Sequence, residues 1–163
     1  MLGVPVWSAL IGLSLALCPS GQDPSTPTVR VSRVEAVRSV SFEINVVSGQ
    51  KDIVVPYCGV GEGGSEGLCS LAIHIEVESK EGWHRIKPRY REVVLGGVPP
   101  DKWNPLVIPA KHGHDFAFGF SKNDFAVERG QRLRVVVDAW PDEPSMRTGR
   151  DPIKLTSAAF DCP

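Results

Sequence analysis

The chain has 163 residues, with 18 Lys and Arg against 19 Asp and Glu, and a formal net charge of −1. That length suits one domain and is short for most multidomain enzyme architectures. Near-neutrality argues against nucleic acid as a partner, because proteins that bind it gather a basic excess on one face.

Residues 4–17, VPVWSALIGLSLAL, form an uncharged apolar run. A spanning helix needs roughly 18–20 such residues, so the run suits the apolar core of a signal peptide. We expect a signal at 1–21, cut near Ser20 or Gly21, and an exported or periplasmic product. Leu15-Ala16-Leu17-Cys18 resembles a bacterial lipoprotein box, although that box has a small residue where Leu17 stands. Membrane attachment is expected only if Cys18 is lipidated. Residues 22–28, with two prolines and three Ser or Thr, have the composition of a flexible linker. The domain is expected over 29–163.

From residue 29 onward the pattern is β. Val29 and Val31, then Val40, Phe42, Ile44 and Val46, alternate with polar residues, the period of half-buried strands. Ser48 to Asp52 is a turn, and 53–57 a short apolar strand. Leu71, Ile73, Ile75 and Val77 alternate again. Glu81-Gly82 has hairpin chemistry, with 83–90 as the returning strand. Shorter strands are expected at 93–95 and 106–108, across a proline-rich stretch at 98–105. Phe116, Phe118 and Phe120 share one face, as do Leu133, Val135 and Val137. Ile153, Leu155 and Phe160 belong to a last strand. Residues 121–128 are the one helical candidate, capped by Ser121 and stopped by Gly130. With Glu81-Gly82 as the two turn residues, Lys80 faces Trp83, Glu78 faces Arg85, Val77 faces Ile86 and Glu76 faces Lys87. Apolar pairs then fall on one face and charged pairs on the other.

Without the signal, three cysteines remain: Cys58, Cys69 and Cys162. Residues 59–68 contain five glycines, which lets the chain bend enough to join Cys58 to Cys69 in an oxidising compartment. The rival arrangements are a bridge from either to Cys162, or free thiols. Cys162 is otherwise a spare or intermolecular thiol. No zinc-type cysteine spacing occurs, and no cofactor is expected.

Candidate sites are sparse. Arg85, Lys87, Arg89 and Arg91 recur at every second position in phase with Trp83, a strip suited to an anionic glycan. The hairpin pairing neutralises Arg85 and Lys87, leaving Arg89 and Arg91 as surplus cations. Trp103 and Trp140 adjoin prolines; they are either exposed for stacking on a ligand or caps on the core. His112 and His114, two apart, are the only local pair of metal-type ligands, and one ion would need further ligands from His74 or His84. Asp138, Asp142 and Glu143 form an acidic loop whose spacing matches no calcium motif. Nucleophile and phosphate-loop signatures are absent, so a non-enzymatic role is expected.

The corner Pro56-Tyr57-Cys58-Gly59, the segment from Ile108-Pro109-Ala110 to the Phe-x-Phe-x-Phe strand, and Gly130-Gln131-x-Leu-x-Val-x-Val resemble immunoglobulin-like sandwiches of small exported bacterial proteins. The latter part also looks like the intracellular proteinase inhibitor fold of bacilli. No Trp lies between Cys58 and Cys69, so the antibody-type disulfide with its packed Trp is absent. The resemblance implies an all-β, single antiparallel immunoglobulin-like sandwich of about seven to nine strands with one short helical turn. The function expected is a binding or interaction module of the cell envelope, its partner an unidentified protein or glycan. The alternatives are a protease-inhibitor-like domain and a His-based metal-binding domain.

Overall fold

The computed structural model describes residues 25–36, 39–60, 66–69, 71–86, 99–121 and 125–163. Alternation decides which way each strand faces. Val40, Phe42, Ile44 and Val46 are buried while Ser41 and Glu43 are exposed, so β2 (Ser39–Val47) has one wet face. It lies between β1 (Thr28–Ala36) and β8 (Gly113–Ser121), antiparallel to both. Facing this sheet is a second, in the order β10-β9-β5-β6. Its members are β5 (Ile73–Ser79), β6 (Gly82–Arg85), β9 (Arg132–Ala139) and β10 (Ile153–Thr156). Ile73 and Ile75 from β5, with Leu133, Val135 and Val137 from β9, meet the buried side chains of β2 and β8 in one core. β1, β2 and β8 take the places of strands A, B and E of an immunoglobulin-type sandwich; β5, β6, β9 and β10 those of C, C′, F and G. The fold is that sandwich.

Three further strands lengthen it. β3 (Ile53–Val60) continues β2, and β7 (Asn104–Ile108) leads into β8, so the two long strands remain paired through a bend. β4 (Glu66–Leu68) adds to the far side of β3. At the bend Ser48 is buried, and its hydroxyl donates to the carbonyl of Pro109. Its backbone N–H donates to His112 O at 2.9 Å. The Asp52 carboxylate accepts from the Ala110 N–H at 2.8 Å. Gln50 N–H donates to Ser25 O at 3.2 Å, so residues 25–28 of the expected linker already belong to the sandwich. Residues 1–24, which hold the expected signal peptide and Cys18, lie outside the described residues.

The expected last strand is divided. β10 and β11 (Phe160–Asp161) both pair with β9, and Ser157 occupies the break between them. Its backbone N–H donates to Val135 O at 2.9 Å, and its Oγ accepts from the Val135 N–H at 3.0 Å. A side chain thus completes a ladder that the backbone leaves open.

Two local expectations are corrected. No helix occurs at 125–128. Phe125 and Val127 are both buried with exposed Ala126 between them, a period-two pattern that a helix would break. The helix lies instead at α1 (Glu143–Thr148), in the segment expected to be an acidic loop. Asp142 caps it by accepting from the Ser145 N–H at 2.8 Å, and Gly149 ends it in the left-handed conformation at φ 65°. That hydrogen bond holds the Asp142 carboxyl below its ordinary pKa.

Candidate functional site

The β5–β6 hairpin is where most of the candidate chemistry collects. Its turn residues are Lys80 and Glu81, not Glu81 and Gly82, and Gly82 takes φ 112° just after them. Ser79 then pairs with Gly82, Glu78 with Trp83, Val77 with His84 and Glu76 with Arg85. The Ile86 N–H donates to Ile75 O at 2.9 Å, in place of the expected partnership with Val77. The shift moves each pairing by two positions, so the apolar and charged faces survive while every pair changes. The cause is the turn. The Ser79 hydroxyl donates to Gly82 O at 3.1 Å and accepts from the Glu81 N–H at 3.1 Å, closing the loop one residue earlier.

The outer face of this sheet settles its charges with β9. Arg134 donates through Nε to Glu76 Oε2 at 2.6 Å, and its guanidinium lies 4.5 Å from the centroid of the Trp83 ring. Arg132 pairs with Glu78 at 3.4 Å, and Lys154 with Asp138 at 3.0 Å. His74 lies 3.4 Å from Glu76. Burial, and then the charge of Arg85, lower its pKa, outweighing Glu76 and Asp138, which pull the other way. Glu76 faces Arg85 in the strand register, but its carboxylate is taken by Arg134. Among the described residues no ion pair joins Arg85 or Lys80 to a carboxylate.

Beside the hairpin lies an open groove of about 620 Å³, lined by Val77, Ser79, Lys80, Glu81, His84, Arg85 and Ala126. His84 Nε2 is 2.7 Å from Ser79 Oγ. The same hydroxyl also lies 3.1 Å from Gly82 O, so His84 and the turn backbone share one Ser79 side chain. The lining of the groove therefore combines apolar Val77 and Ala126 with the polar side chains of Ser79, Lys80, Glu81 and His84, while strand alternation sets the Arg85 side chain on the outer face with Glu76 and Trp83.

The other expected site residues separate. Trp103 and Trp140 are 3 % and 2 % exposed, so neither offers a face to a ligand. They pack on each other at 5.5 Å between centroids, in a second core with Val54, Cys69, Ala72 and Met146. Of the nearby prolines, Pro105 lies in β7, Pro100 opens a 3-10 turn (Pro100–Lys102) and Pro141 precedes α1. Trp140 Nε1 donates to Arg150 O at 3.0 Å, and Arg147 donates to Asp101 O and Trp103 O, both at 3.2 Å. His112 is exposed at the bend, its Nδ1 2.9 Å from Ala110 O. His114 packs on Phe116 at 4.7 Å. No group of three metal-type ligands forms among the described residues. Arg89 and Arg91 lie outside the described residues. Cys58 and Cys69 form a disulfide with Cα atoms 5.0 Å apart, and Cys162 is buried at the far end of the core. Sequence reasoning missed the groove because Ala126 reaches it from a distant segment.

No protein-family model matches the chain, and no curated protein sequence matches it. Solved structures similar to it include three at low identity. A Northeast Structural Genomics Consortium target, SoR45, is 8 % identical, with TM-score 0.41, over 87 % of this chain and 88 % of its own. Spo0M, a sporulation control protein from Bacillus subtilis, is 15 % identical, with TM-score 0.40, over 83 % of this chain and 48 % of its own. The ASH/PapD-like domain of human CEP192 is 13 % identical, with TM-score 0.35, over 95 % of this chain and 98 % of its own.

Proposed function

We propose that this chain is an exported, non-enzymatic binding domain whose ligand occupies the groove beside the β5–β6 hairpin. The observation that carries this reading is an open groove of about 620 Å³ whose lining sets the polar residues Ser79, Lys80, Glu81 and His84 beside the apolar Val77 and Ala126. Small-ligand sites are mostly of about 300–1,000 Å³ and combine apolar walls with a few placed polar groups. The hairpin is anchored by the Arg134–Glu76 pair and the Trp83 ring, so its polar groups are held in place before a ligand arrives. The apolar run at 4–17 and the Cys58–Cys69 disulfide support export, because such bonds persist in oxidising compartments.

The test is a nitrogen-15 NMR screen of the chain against small metabolites and short glycans. Binding in the groove moves the amide signals of Ser79, Glu81, His84 and Ala126 together. Shifts confined to other surfaces, or none at millimolar ligand, would reject this site.

A further inference from the structure

We infer that Cys58 is a modification site at which an outside thiol joins this chain: exchange of the Cys58–Cys69 bond goes through the Cys58 sulfur, and Cys69 is the sulfur that leaves. The inference does not depend on the groove. The two halves of the bond differ in burial. Cys58, on β3, is exposed, whereas Cys69 is 1 % exposed. Cys69 belongs to the second core with Val54, Ala72, Trp103, Trp140 and Met146. Its backbone is held on both sides: its N–H donates to Pro56 O at 3.0 Å, and its carbonyl accepts from the Ala72 N–H at 2.8 Å. Which sulfur a thiolate attacks depends on access. Only Cys58 meets an attacker without the second core opening first.

In the first step the attacking thiolate bonds to Cys58 Sγ. The S–S bond breaks with its electron pair on Cys69 Sγ, which takes a proton from water. A small thiol stops there, as a mixed disulfide on Cys58. A dithiol goes further: its second thiolate attacks its own partner sulfur in the mixed disulfide and releases Cys58 as a thiolate. The chain's disulfide is then reduced and the dithiol oxidised. The main core contains neither Cys58 nor Cys69, so the step leaves the sandwich closed. Cys162 is 2 % exposed within that core and does not compete for the attacker. The reactant class is therefore a small thiol, or an oxidoreductase with an exposed dithiol.

The probe is reduced glutathione at millimolar concentration, added to the native full chain. Samples are quenched with acid, blocked with N-ethylmaleimide and cut after Glu62 and Glu66, which separates the two cysteines. Mass spectrometry then reads glutathione on each. We expect the adduct on Cys58 to exceed that on Cys69 by about tenfold or more, since thiol chemistry follows exposure. The same reaction in concentrated urea should bring the ratio close to one, because unfolding exposes both sulfurs alike. Equal adducts in the native chain, or an excess on Cys69, would overturn the inference. An excess on Cys58 that persists in urea would overturn it too, since the selectivity would then come from neighbouring sequence and not from burial. Adducts in urea with none in the native chain would show a bond closed to exchange, and would overturn it as well.

Discussion

Gly49 shows how little freedom a single residue has at the bend. A Cβ built there would lie 2.2 Å from the Ser25 carbonyl oxygen, a backbone atom that cannot step aside like a flexible side chain. The same carbonyl accepts the Gln50 N–H, so moving it breaks a hydrogen bond as well. Gly49→Ala should therefore destabilise the domain by about 2 kcal/mol, typical of forced overpacking, as measured by urea unfolding. A change below ~0.5 kcal/mol would show that residues 25 and 26 are not held against the bend. Burial is the other lesson at this scale. Trp103 and Trp140 stand beside prolines, and proline in a sequence suggests exposed turns. Here Pro105 is a strand residue and both rings are buried, so the local signal points the wrong way.

Among the elements, the β5–β6 hairpin and α1 teach different things. The hairpin's faces were legible from alternation alone, because side chains on a strand repeat with period two. Its register was not, since Glu81-Gly82 and Lys80-Glu81 both keep the apolar residues on one face. The Ser79 hydroxyl broke the tie. The helix, by contrast, was written plainly in the chain: Asp142 as cap, Pro144 in the first turn and Gly149 as stop. It was missed because six residues are too few to show an apolar period. Only Met146 of α1 is buried, and it joins the tryptophan pair in the second core. Met146→Ala should cost about 3 kcal/mol. Hydrogen exchange should show the loss first in α1 and around Trp140, with β2 and β8 keeping their protection. Equal loss of protection throughout would mean that the two cores open as one.

For the whole molecule, the disulfide and the charge balance matter most. Cys58 and Cys69 are 11 residues apart and tie β3 to the edge of the second core. Replacing both by Ser should lower stability by about 2–3 kcal/mol in the chain-entropy account. The variant should still fold, because the main core is built from other residues. A variant without a cooperative unfolding transition would show that the bridge is required for the fold. The near-neutral balance seen at the outset resolves into pairs, but not those that the local sequence suggests. Glu76 and Glu78 are neutralised by Arg134 and Arg132 of β9, so Glu76 pairs with Arg134 although Arg85 is its cross-strand neighbour.

The sequence by itself determined the strand faces and the all-β class, and it put Cys58 and Cys69 within reach of each other. Each depends on residues near one another in the chain: alternation within a strand, or a glycine-rich loop between two sulfurs. Only the tertiary structure decided which cations are spare, where the tryptophans lie and where a groove opens. Those depend on β9 lying beside β5, some sixty residues away in sequence, and on Ala126 meeting the hairpin. Local pattern says which side of a strand is wet. It does not say which strand lies next to it, and for a charged side chain the neighbour decides whether it is paired.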